Sequence, residues 1–253
     1  MGLFNNKRKH KQFAWNSSEG RRTLHKNLEF TATEQYKLIR ANLDFTLPED
    51  EKCSVIGVTS SMRGEGKSTT AINLSYVFAE KGSKVLLIDA DLRIPSVAKK
   101  LGINSTPGLA DLLRTKSSNT SIYKPYLLDN WYVLTSGEVP PNPSELLGSS
   151  RMKNILQQLR QEFDYIIIDL PPVNVVSDTI SISPLISGMI VVIREEHTEK
   201  KELEHCFRQL KLSNVNILGC VMNGTKTGSG AYSKYKRYKY YKYDQSSQEG
   251  SGK

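Results

Sequence analysis

The chain has little cysteine. Its three residues, Cys53, Cys206 and Cys220, are odd in number, widely spaced and without a CxxC pair. That spacing excludes a disulfide framework or a cysteine zinc site as an organising feature and fits a reducing cytoplasm. Long apolar runs are also missing. Nothing approaches the ~18 uninterrupted apolar residues of a transmembrane helix. The N-terminus is basic but has no apolar core behind it, so no secretory signal is expected. The globular body lacks a charge excess as well. The net charge of +9 comes from two ends: residues 1–26 hold seven Lys and Arg against one acid, and residues 226–253 hold seven against two. The span 27–225 is left at about −2, which does not suit a basic nucleic-acid-binding surface. At 253 residues, 38% hydrophobic and 24% charged, the chain has the length and composition of one large α/β domain with appendages, or of two small domains.

Residues 1–30 read as a basic, flexible arm with few apolar anchors. Thr31-Ala-Thr-Glu34 has the spacing of a capping box. A helix of about fifteen residues should follow and stop before Pro48, with Tyr36, Ile39, Leu43 and Phe45 as its apolar positions. From Ser54 onward, apolar runs alternate with helical segments. Strands are expected at 55–58, 84–88, 131–134, 165–168, 188–193 and 216–222, and helices at 68–79, 109–113, 151–160 and 198–210. Runs that are apolar on both faces and separated by helices imply a doubly wound α/β fold with a mainly parallel sheet. Ligands in such folds bind beyond the carboxyl ends of the strands.

The residues after those strands carry the chemistry. After the first comes Ser61-Met-Arg-Gly64-Glu65-Gly66-Lys67-Ser68-Thr69. It fits the phosphate-binding loop G-x-x-x-x-G-K-[ST] except that Ser61 stands at the leading glycine. Gly64 and Gly66 let backbone N–H groups turn toward phosphate, the next helix offers its N-terminus, Lys67 a charge, and Ser68 a hydroxyl for Mg²⁺. After the second strand comes Asp89-Ala-Asp91-Leu-Arg93, which alone could equally be a turn or a helix cap. The fourth strand ends in Asp169-Leu-Pro171-Pro172, where an acid after an apolar run can orient Mg²⁺ or its water shell. Together these segments place a lysine, a hydroxyl and three carboxylates on one sheet edge, as Mg-nucleotide chemistry requires. The last strand ends in Asn223, either an adenine-reading amide or a plain turn residue before Gly224.

These motifs resemble the bacterial tyrosine kinases associated with exopolysaccharide and capsule export, which are related to the partitioning and septum-positioning ATPases. The second acidic motif, D-x-D-x-R, matches Asp89, Asp91 and Arg93. The third, D-x-P-P, matches Asp169, Pro171 and Pro172. The segment Leu134–Leu147 is also typical of the family. Glu34, Lys37 and Arg40 resemble its oligomerisation motif E-x-x-R-x-x-R, with Lys37 a point charge where the family has a planar guanidinium. Those ATPases carry a lysine early in the loop where this chain has Met62, which argues against that branch.

The resemblance implies a P-loop kinase domain over 31–225, including the oligomerisation helix, and a tyrosine-rich autophosphorylation tail over 226–253. The tail holds Tyr232, Tyr235, Tyr238, Tyr240, Tyr241 and Tyr243 within twelve positions. Read alone, such an aromatic and basic stretch could also bind single-stranded RNA. The implied activity is transfer from ATP to the chain's own tail, in trans within a homo-oligomeric ring. Lys67 would hold the phosphates, Ser68, Asp91 and Asp169 would position Mg²⁺, and Asp89 would be the base. The tail's lysines would be drawn to a site crowded with carboxylates. Also implied are a membrane adaptor of the polysaccharide co-polymerase type, a cognate tyrosine phosphatase and a cytoplasmic location at the inner face of the plasma membrane. The basic arm could add contact with anionic lipid. Alternatives are an ATP-dependent assembly scaffold with little kinase activity and a DNA-partitioning-type ATPase.

Overall fold

The computed structural model describes residues 28, 30–48, 51–115, 122–123 and 127–225. Residues 1–27 and 29 of the basic arm, the tyrosine cluster, and Gly228 and Gly230 before it lie outside the described residues. A first helix, α1 (Phe30–Thr46), precedes strand β1 (Ser54–Ser60) and helix α2 (Lys67–Glu80). Then follow β2 (Val85–Asp89), α3 (Val97–Leu101), α4 (Leu109–Arg114), β3 (Trp131–Leu134), α5 (Pro143–Leu147), α6 (Ser150–Leu159) and β4 (Tyr165–Asp169). The chain continues through α7 (Asp178–Ile182), a 3-10 turn (Ser183–Leu185), β5 (Gly188–Arg194), α8 (Lys200–Leu212) and β6 (Ile217–Asn223).

Among the described residues six strands form one sheet, all parallel, in the order β3-β2-β4-β1-β5-β6. Each central strand is buried on both faces because alternate residues serve two cores. In β4, Ile166 and Ile168 pack with α4, α6 and α8, while Ile167 packs with α1 and α2. Leu86 and Ile88 of β2 follow the first group, and Val85 and Leu87 the second. Helix α2 is the most enclosed, with buried residues on every side from Ser68 to Ala79. Trp131 fixes its flank by donating from Nε1 to Ser75 Oγ at 3.0 Å and meeting Tyr76 edge-on at 5.6 Å. The register sets the active edge: Asp89 of β2 stands opposite Asp169 of β4, and Val58 of β1 stands on the other side of Asp169.

Several local expectations need correction. Thr31 lies inside α1, which starts at Phe30, and no acid occupies its first turn, so the Thr31–Glu34 capping box does not form the start. Phe45 is 91% exposed. Tyr36, Leu43 and Leu47 face inward, and Phe45, two residues beyond Leu43, points about 200° away around the helix. Helix α8 begins at Lys200, not Thr198, because the Thr198 hydroxyl is engaged in the preceding loop. The short helices α3, α5 and α7 were not anticipated, since five residues are too few to show a helical period.

Candidate active site

The turn from β1 into α2 forms an anion cradle. Gly66 caps α2 at φ 97° with no side-chain cap on the helix, and Gly64 has φ 83°. Both angles suit glycine. The first N–H groups of a fourteen-residue helix therefore have no side chain competing for them. A Cβ at Gly66 would lie 2.4 Å from Asn223 Nδ2, so the loop also needs glycine for space.

Ser61, at the position where the strict pattern has glycine, is buried and donates to Glu65 Oε1 at 2.7 Å. Glu65 is fully buried in the loop, where it also accepts from the Met62 N–H at 2.9 Å and from the Thr198 hydroxyl. The segment after β5 clamps the loop from outside. Arg194 donates to the Gly64 carbonyl at 3.0 Å, and a ring nitrogen of His197 lies 3.2 Å from the Arg63 carbonyl oxygen. Thr198 in turn accepts from the Arg194 N–H at 2.8 Å. Asn223 completes the support. Its Nδ2 donates to the Glu65 carbonyl at 3.0 Å and to Thr70 Oγ1 at 3.2 Å. Both bonds use its amide nitrogen, so Asn223 braces the loop from the end of β6.

Lys67 points into the carboxylates. Its Nζ lies 2.7 Å from Asp91 Oδ2, 3.5 Å from Asp169 Oδ1 and 3.3 Å from Ser68 Oγ. Burial works against the ammonium, but Asp169 and Asp91 outweigh it, so its proton is held more tightly than usual. Burial raises the Asp169 carboxyl against the pull of Lys67. Asp89 is raised well above the ordinary carboxylate range, first by burial and then by Asp169. Its Oδ2 accepts from the Val97 N–H at 3.1 Å, while its Oδ1 has no hydrogen-bond partner. Neither oxygen of Asp169 accepts a well-aligned hydrogen bond, and Oδ1 has only the longer contact with Lys67 at 3.5 Å. Fully buried carboxylate oxygens are costly to leave unpartnered. Those of Asp169, beside the Ser68 hydroxyl and Asp91, are the hard oxygen donors that suit Mg²⁺. Among the described residues no group of three His, Cys, Asp or Glu forms a ready-made metal cage.

In front of these groups lies a cavity of about 420 Å³. Lys67, Ser68, Thr69 and Asp91 line it, whereas Asp89 and Asp169, fully buried, stand behind its wall. Arg63, Arg93, Lys100 and Arg194 also line it, so its mouth is cationic in front of the carboxylates. Arg93 is held by buried Asp178, with Nε to Oδ2 at 2.9 Å and one terminal nitrogen to Oδ1 at 3.0 Å.

A family model described as an AAA domain matches residues 53–214. Tyrosine-protein kinase YwqD of Bacillus subtilis (strain 168) is 40% identical over 177 residues, 70% of this chain and 75% of that protein. The chain belongs to the bacterial tyrosine kinases. Tyrosine-protein kinase ptk of Acinetobacter johnsonii is 36% identical over 66% of this chain, which spans only 23% of that longer protein. The kinase domain of Escherichia coli tyrosine kinase ETK superposes with a TM-score of 0.77 at 28% identity, covering 90% of this chain and 88% of that one. The cell division ATPase MinD of Pyrococcus furiosus shares the fold more distantly, with a TM-score of 0.56 at 28% identity over 69% of this chain and 74% of its own.

The site that this bacterial tyrosine kinase chain builds unites Gly64, Glu65, Gly66, Lys67, Ser68 and Thr69 with Asp89, Asp91 and Asp169. Glu34, Lys37 and Arg40 sit apart on α1. Lys37 pairs with Glu34 at 3.0 Å, and Arg40 donates to the Val77 carbonyl of α2 at 2.8 Å. No residue of the typical segment 134–147 lines the cavity, and its Ser144 hydroxyl donates to Asp178, the anchor of Arg93. Arg194 and Thr198 escaped the sequence reading, because hydrogen bonds from a loop 130 residues away leave no local pattern. Among the described residues, no helix is long and apolar enough to cross a membrane.

Proposed function

We propose that the chain is an ATP-dependent protein-tyrosine autokinase whose acceptors are Tyr232, Tyr235, Tyr238, Tyr240, Tyr241 and Tyr243 of its own tail. The observation that carries this reading is Lys67, set at the open N-terminus of α2 and paired with Asp91 beside Asp169. With ATP bound, Lys67 would exchange its carboxylate partners for the β- and γ-phosphates, and the loop N–H groups would fix them. Ser68, Asp91 and Asp169 would hold Mg²⁺, which supplies charge neutralisation on the phosphates. Asp89 is the candidate proton acceptor, since burial and the neighbouring Asp169 raise its proton affinity above that of an ordinary carboxylate. It lies behind the cavity wall, so most of the acceleration is assigned to positioning and charge.

Transfer in trans, within a ring assembled through Glu34, Lys37 and Arg40, follows from the family's motif on α1. On this reading the kinase works at the inner face of the plasma membrane through a membrane adaptor of the polysaccharide co-polymerase type, and a cognate phosphatase resets the tail. It regulates capsule or exopolysaccharide synthesis and export. The basic arm adds contact with anionic lipid. A mixing experiment tests the trans step. A Lys67→Met chain with an intact tail is combined with an active chain whose six tail tyrosines are Phe. Phosphate on the Lys67→Met chain is expected; its absence, while an unmixed wild-type chain labels itself, contradicts transfer in trans.

A further inference from the structure

The cavity extends past the phosphate loop. Beyond the phosphate loop its lining continues through Arg93, Ile94 and Lys100 after β2, and through Pro172 and Val175 after β4. Ile94 is 51% exposed and Val175 38%. Exposed apolar side chains flanking a phosphate site do nothing for phosphate, but they suit a flat aromatic ring.

Charge narrows the choice of partner. Arg93 is neutralised by Asp178, whereas Lys100 and Arg63 form no ion pair among the described residues. The tail segment 232–243 carries Lys234, Lys236, Arg237, Lys239 and Lys242 and no acid. Unmodified, it meets like charge at this mouth. A phosphotyrosine adds about −1.5 to −2 charges, and neighbouring tail tyrosines are one to three residues apart. In an extended chain that is roughly 3–10 Å, close enough for a phosphate beside the acceptor to meet a rim lysine.

Building on the autokinase reading, we propose that Ile94, Val175 and Lys100 form the acceptor-peptide subsite, and that Lys100 favours a tail already carrying a phosphate near the acceptor. The first transfer is then slow and later ones are faster. Each transfer forms a bond from phosphorus to the tyrosine oxygen and breaks the bond to the bridging oxygen of the β-phosphate. ADP leaves, and the phenolic proton passes to a carboxylate or to water.

The test uses the full chain with its six tail tyrosines replaced by Phe, saturating Mg-ATP, and two synthetic 232–243 peptides. Both keep Tyr238 as the sole acceptor; one has Phe at 241 and the other phosphotyrosine. We expect kcat/KM for the phosphorylated peptide to be at least about fivefold higher through a lower KM, with the ratio shrinking as salt screens the rim. In Lys100→Ala the ratio should fall to about one, and Lys100→Arg should restore it. A ratio of one or less with Lys100 present, or an undiminished ratio in Lys100→Ala of unchanged melting temperature, overturns the proposal. If neither peptide is modified while the wild-type chain labels its own tail, the subsite is wrong and the autokinase reading stands. If the wild-type chain labels nothing, both fall.

Discussion

The Thr198 hydroxyl donates to the Glu65 carboxylate, joining the segment after β5 to the interior of the phosphate loop. Ser61 donates to the same oxygen. A loop that lacks its leading glycine is thus braced from inside and outside. The brace fixes the N–H groups that meet phosphate, so it should act on nucleotide affinity more than on global stability. Thr198→Val keeps the shape and removes the donor. ATP affinity should fall about threefold to tenfold, the value of one hydrogen bond, and Thr198→Ser should recover most of it. Titration calorimetry with ATP and a thermal melt without it separate the two effects. A lowered melting temperature with unchanged affinity would contradict this role.

Asp89 offers a pH test in the nucleotide-free protein. Its proton affinity is raised in the folded state, so the fold retains a proton that the unfolded chain releases. Stability therefore declines as pH rises from the ordinary carboxylate range near ~4 through the raised folded value. Asp89→Asn removes that decline. The variant should gain on the wild type with rising pH, by about 1.4 kcal/mol for each pK unit of the shift. Parallel melting profiles from pH 4 to 9 would show that the buried carboxyl is not disfavoured in its charged form.

The cysteines report on the packing. Burial pushes the thiols of Cys53 and Cys206 up to about 12, whereas Cys220 is exposed on β6. Iodoacetamide at pH 8 should label Cys220 alone in the folded protein and all three after denaturation, as peptide mapping would show. Rapid labelling of Cys206 in the native state would contradict the packing of α8 on the sheet.

The strands and the three acidic or glycine-rich motifs were legible in the sequence because each is a contiguous run with a period or a fixed spacing. Val55 to Val58 and Ile166 to Ile168 read as buried strands from their short β-branched apolar runs, and the glycines before Lys67 sit at a strand-to-helix turn. Phe45 was misplaced because an apolar residue on a one-sided helix is inward only at the right phase relative to Leu43. The bracing role of Asn223 was not legible, because its amide nitrogen donates to Glu65 and Thr70. That contact spans over 150 residues and leaves no trace in local sequence. The cationic mouth was hidden for the same reason, since Arg63, Lys100 and Arg194 come from a loop, a helix and a strand end far apart in the chain.

The central claim is that this Lys67-centred site phosphorylates the chain's own tail. Phosphopeptide mass spectrometry of the full chain after incubation with Mg-ATP tests it most directly. The account predicts phosphate on tyrosines within 232–243 in the wild type, and at least a ~100-fold loss in Lys67→Met, since the lysine bears directly on the transferring group. Tails that stay equally unmodified in both proteins, or equally modified in both, would contradict it.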